Sequence, residues 1–145
     1  MKRRFTFLLA AALLLMSGLG WAQTRTEINW TASEQGYENA QVIESVTFDT
    51  NVSATFNKGT NNNAPKYYTT GLAIRCYGGN YFTVTSTSGN LTEITLTFAS
   101  GEGNNAITTD VGTYENGTWT GSATSVTFTI GGTTGHRRIA TFTIN

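Results

Sequence analysis

Val52, Ala54 and Phe56 alternate strictly with Ser53, Thr55 and Asn57, and the same two-residue period returns along the chain. Ile94, Leu96 and Phe98 alternate with Glu93, Thr95 and Thr97, and Val126, Phe128 and Ile130 with Ser125, Thr127 and Thr129. Ala140, Phe142 and Ile144 end the chain in the same rhythm. An extended strand sends successive side chains to opposite faces, so this period demands half-buried strands with a polar outer side. Threonine makes up about a fifth of the chain and proline occurs once, which suits strands joined by glycine turns. The pattern predicts an all-β domain of about eight to ten short strands in two packed antiparallel sheets. A jelly-roll-like β-sandwich is favoured over a closed barrel.

Residues 1–22 stand apart. Lys2, Arg3 and Arg4 precede the apolar run Phe5 to Met16, and Gly20 and Ala22 supply small residues at −3 and −1. This is the form of a secretory signal peptide cleaved before Gln23. The apolar run is shorter than the roughly 20 residues of a spanning helix. No cysteine near the cleavage site could carry a lipid. The chain is therefore expected outside the cytoplasm, whether periplasmic, at the cell surface or extracellular, with no membrane insertion once the leader is removed.

Cleavage would remove three of nine basic residues and none of nine acidic ones, leaving a charge of 6 − 9 = −3. Nucleic acid and anionic membrane are bound through excess Lys and Arg, so neither is an expected partner. Cys76 is the sole cysteine, so no intramolecular disulfide forms; on the apolar row it reads as a buried small hydrophobe. Stability has to come from the core.

Residues 23–39 read as an N-terminal arm or an edge strand around Ile28 and Trp30, and 40–145 as a single β-sandwich domain. Val42, Val46 and Phe48 are expected on one buried face. Lys58 to Lys66, with Gly59, Asn61 to Asn63 and Pro65, is a surface loop. After Tyr67 and Tyr68, the strand Leu72 to Tyr77 should point Leu72, Ile74 and Cys76 inward and Ala73, Arg75 and Tyr77 outward. Gly78-Gly79-Asn80 is expected to turn it into a hairpin. Asn116-Gly117 is the strongest hairpin signal and should pair Val111–Tyr114 with Thr118–Thr120.

The segments NKGTNNNAPKYY, GLAIRCYGGNYFTVTS and TWTGSATSVTFTIGGTTGHRRIATFTI resemble a secreted β module found in proteins of Bacteroidetes, including gut species. The resemblance spans about Ala40 to Ile144. It implies an accessory unit of the kind set beside enzymatic, adhesive or repeat domains in larger secreted proteins. It supplies neither a ligand nor a catalytic residue.

Catalytic chemistry finds little support in the residues. His136 is the sole histidine, no nucleophile sits in a recognisable elbow, and no metal-ligand spacing surrounds it. His136-Arg137-Arg138 reads as the polar start of the last strand, its arginines paired to nearby carboxylates. Glu102, Asn104, Asn105 and Asp110 offer oxygens to a structural Ca2+, although their spacing matches no defined loop. No other cofactor is indicated. The sharper candidate is aromatic: Tyr67, Tyr68, Tyr77, Tyr81 and Trp119, flanked by Arg75 and Asn80, could form an exposed platform. Such rings suit the C–H face of a sugar, and equally a protein partner. The expected function is a secreted non-catalytic accessory or interaction module with an adhesive or architectural role. A carbohydrate-binding module is the alternative. The partner is then a glycan or an extracellular protein.

Overall fold

The computed structural model describes residues 25–101 and 103–145, so the leader expected over 1–22 and the candidate ligand Glu102 lie outside the described residues. The described chain is all β apart from a 3-10 turn at Ala32–Glu34. In order, its strands are β1 (Ile28–Thr31), β2 (Gln41–Val42), β3 (Ser45–Thr47), β4 (Val52–Asn57), β5 (Lys66–Tyr68), β6 (Ala73–Tyr77) and β7 (Tyr81–Ser86). There follow β8 (Leu91–Phe98), β9 (Ile107–Thr109), β10 (Thr113–Glu115), β11 (Thr118–Ala123), β12 (Ser125–Ile130) and β13 (His136–Ile144). These outnumber the eight to ten expected because β2, β3, β5, β9 and β10 are pieces of only two or three residues. No helix among the described residues is long and apolar enough to cross a membrane.

Two antiparallel sheets pack face to face as a β-sandwich. The larger runs β10-β11-β8-β13-β6-β5-β2, with β1 added against β13, and the smaller runs β3-β4-β7-β12-β9. Strand β13 organises the larger sheet. Along one side it pairs with β8; along the other it pairs first with β6, from His136 to Ile139, and then with β1, from Thr141 to Ile144. The segment around Ile28 and Trp30 is thus a strand, with Trp30 opposite Phe142.

The expected alternation holds in β4, β7 and β12, whose inward rows are Val52, Ala54 and Phe56, then Phe82 and Val84, then Val126, Phe128 and Ile130. Phe82 joins the layers: its ring stacks on Phe128 at 4.8 Å and meets Phe142 of the other sheet edge-on at 5.7 Å. Threonines and serines take the outward positions. Several bridge neighbouring strands, as Thr83–Thr127 do at 2.8 Å and Thr95–Thr118 at 3.1 Å.

Several local readings are corrected. Gly78–Asn80 does not close a hairpin, because β6 lies in the larger sheet and β7 in the smaller, and the turn carries the chain between layers. Val42 is 45% exposed, since β2 is an edge strand and turns it outward beside Lys66. Leu72 is 53% exposed in the turn before β6, where its φ is 52°, and Ala73 is buried in its place. A register shift between Ile139 and Thr141 moves the inward set of β13 to Ile139, Phe142 and Ile144, leaving Ala140 only half-buried. The Asn116-Gly117 hairpin forms, with φ of 50° and 85°, but its first strand is Thr113–Glu115 rather than Val111–Tyr114: the two-residue turn brings Glu115 opposite Thr118, and Val111 stays outside the strand.

Candidate functional site

The outer face of the larger sheet gathers the polar and aromatic side chains of β5, β6 and the start of β13. Period-two geometry puts Lys66 and Tyr68 outward on β5, Arg75 and Tyr77 outward on β6, and His136 and Arg138 outward on β13. Register then aligns them across strands. Lys66 stands opposite Arg75, Arg75 opposite Arg138, and Tyr77 opposite His136.

Three contacts knit this group. The hydroxyls of Tyr68 and Tyr77 lie 3.0 Å apart, and the Arg75 guanidinium sits over the Tyr68 ring, 4.3 Å from its centroid. Tyr77 meets His136 edge-on at 6.4 Å. A guanidinium on a ring face is held by the quadrupole of the ring, so Arg75 is oriented while remaining charged. Burial pushes the Tyr77 phenol above its ordinary pKa and the Tyr68 hydroxyl adds to that, while the charge of Arg75 acts in the opposite direction. The cluster is therefore a hydrogen-bonded phenol pair beside a guanidinium laid on one of its rings.

The remaining members of the expected platform do not join it. Tyr67 is buried, facing Ile74 across the strands with Tyr37 against its ring at 5.5 Å. Trp119 is fully buried, and its Nε1 donates to the Val111 carbonyl at 2.6 Å. Its indole fits only because glycines flank it. A Cβ at Gly112 would come within 2.4 Å of Nε1, and one at Gly121 within 2.6 Å of Cζ2. Asn80 is also fully buried. Its Oδ1 accepts from the Tyr77 amide at 2.7 Å, and its Nδ2 donates to the carbonyls of Lys58 and Asn63, each at 2.9 Å. Tyr81 is 36% exposed but points outward from the other sheet. Of the seven residues proposed from sequence, Tyr68, Arg75 and Tyr77 come together and Tyr67, Asn80, Tyr81 and Trp119 do not.

Of the residues proposed for Ca2+, Asn105 and Asp110 spend side-chain atoms on the backbone instead. Asn105 donates from Nδ2 to the carbonyls of Gly131 and Thr134, at 2.8 and 2.7 Å, pinning the turn before β13. Asp110 accepts from the Thr127 amide at 2.8 Å and holds the end of β9 to β12. Asn104 is exposed. Among the described residues no three His, Cys, Asp or Glu side chains gather as metal ligands.

Sequence reasoning passed over Lys66 and set Arg138 aside as an ion-paired strand end. In the structure Arg138 Nη1 donates to the Ser100 carbonyl at 3.1 Å, whereas Arg137 points inward, donating to the Asn105 carbonyl at 2.7 Å with Phe98 beneath it. The available signal was the repeated spacing Lys66-x-Tyr68, Arg75-x-Tyr77 and His136-x-Arg138, which sends each pair to one face. Comparison of the chain with family models, with curated proteins and with solved structures finds no match.

Proposed function

We propose that this chain is an exported, non-catalytic interaction module of Bacteroidetes type, with an adhesive or architectural role, whose outer face on the larger sheet meets an extracellular partner. One observation carries the reading: Tyr68, Arg75 and Tyr77 are interlocked on the solvent side of a sheet. Side chains held by one another at a surface are pre-organised for contact, which lowers the ordering entropy that binding would otherwise cost. A glycan is the second reading. Hydroxyls of Thr95, Thr97, Thr141 and Thr143 continue the same face beyond the aromatic pair, and they offer sugar hydroxyls both donors and acceptors.

The test is a binding screen of the full-length protein against immobilised glycans and extracellular proteins, repeated with Tyr68→Ala and Tyr77→Ala. The expected result is a ligand whose affinity falls by about tenfold or more in either variant, with the melting transition kept cooperative. Ligands bound equally well by wild type and both variants would overturn the assignment of this face.

A further inference from the structure

Lys66, Arg75 and Arg138 occupy one cross-strand row over β5, β6 and β13. They are three of the six Lys and Arg that follow residue 22, in a segment carrying nine carboxylates. Like charges directly opposite on a sheet repel, so such a row destabilises the fold unless an anion stands over it. Among the described residues no carboxylate forms an ion pair with any of the three. Arg138 uses one nitrogen on the Ser100 carbonyl and Arg75 lies on the Tyr68 ring; the Nε of each is buried without a hydrogen-bond partner among the described residues, so a ligand would be met by the terminal guanidinium nitrogens. Among the described residues the row thus stands without a neutralising carboxylate.

We infer that the Lys66–Arg75–Arg138 row is a binding track for an acidic polysaccharide, each cation facing a uronate carboxylate along an extended chain. This rests on the interaction-module reading above and deepens it. Strands lie about 4.8 Å apart, close to the length of one pyranose residue, so cations on adjacent strands repeat at the spacing of adjacent sugars. Arginine offers a carboxylate two parallel N–H donors, and Lys66 supplies a point charge at the edge. The Tyr68 and Tyr77 hydroxyls lie beside the row and the threonine-lined surface continues from it, giving the sugar hydroxyls polar partners. An acidic peptide fits less well. The large exposed apolar side chains, Val42, Leu72, Tyr81 and Val111, are distributed over an edge strand, a turn, the opposite sheet and the stretch between β9 and β10, and do not form the apolar centre that protein interfaces use.

Titration of the full-length protein with polygalacturonate and alginate, with neutral dextran and poly-L-glutamate as references, tests this. The uronate polymers should bind and weaken steeply with salt, while dextran and polyglutamate should bind at least about tenfold more weakly. Arg75→Gln should weaken polygalacturonate binding about tenfold, and the double variant Lys66→Gln/Arg138→Gln more than that. The double variant should melt no lower than wild type, because it removes repulsion. Dextran retained as strongly as polygalacturonate, polyglutamate bound as tightly as either uronate, or an unchanged affinity in the double variant would each overturn the inference. Failure of both uronates to bind, with a Tyr77→Ala-sensitive ligand still found elsewhere, would remove the acidic-polysaccharide track and leave the interaction-module reading standing.

Discussion

Trp30 and Trp119 are both buried indoles, but their nitrogens meet different surroundings. Trp119 Nε1 donates to the Val111 carbonyl, whereas Trp30 Nε1 is buried without a partner among the described residues. Trp30 is held instead by its ring, edge-on to Phe48 and Phe142 at 5.7 Å each. Replacing Trp119 with Phe leaves the Val111 carbonyl without that donor and a gap in the glycine-lined slot, and should cost about 2–3 kcal/mol. Trp30→Phe removes a donor that gained nothing on burial and should cost no more than about 1 kcal/mol. Urea unfolding of the two variants checks the order; Trp30→Phe as damaging as Trp119→Phe would contradict it. The burial of Trp119 was legible in Thr118-Trp119-Thr120, because threonines on both sides of an aromatic mark the aromatic as inward. The adjacent pair Tyr67-Tyr68 carried a similar message: on one strand, neighbours cannot share a face.

At the level of elements, the crossing from β6 to β7 depends on Asn80. It receives the Tyr77 amide and holds the loop carbonyls of Lys58 and Asn63, so one buried side chain fastens the asparagine-rich loop to the point where the chain changes sheets. Close backbone approach completes the joint: a Cβ on Gly59 would lie 2.1 Å from the Gly79 carbonyl oxygen, and one on Gly78 2.7 Å from that of Thr134. Asn80→Ala leaves one buried donor and two acceptors without partners and should destabilise by about 3–5 kcal/mol. Hydrogen exchange should then show the amides of residues 57–63 losing protection. A variant as stable as wild type would show that water replaces all three bonds.

For the whole molecule the sharpest handle is alkaline pH. Cys76 is fully buried in the inner row of β6, and burial pushes its thiol up to about 12 from an ordinary 9.0. The folded state therefore keeps this proton longer than the unfolded chain does. Stability from this group is complete below about pH 9 and is lost as pH climbs towards 12, at about 1.4 kcal/mol per pH unit within that window. Tyr77 and Tyr37 are also raised by burial and act in the same sense, with their loss setting in above the ordinary phenol value of 10.0. Cys76→Ala should flatten the first part of the decline. Urea midpoints through this pH range measure it, and a variant with the wild-type slope would assign the loss to the tyrosines alone.

What the residues determined unaided was local: strand periodicity, the Asn116-Gly117 hairpin, and the inner rows of β4, β7 and β12, because these follow from neighbours two to four positions apart. Which layer receives each strand was decided by the tertiary structure. A glycine turn has much the same local chemistry whether it closes a hairpin or crosses between sheets, so Gly78–Asn80 was misread. The same holds for the surface. Exposure of Tyr81 could be guessed from its own strand, but its separation from Tyr68 and Tyr77 depends on which sheet it occupies. The alignment of Lys66, Arg75 and Arg138 comes from pairing between strands far apart in sequence, where register places one charge beside the next.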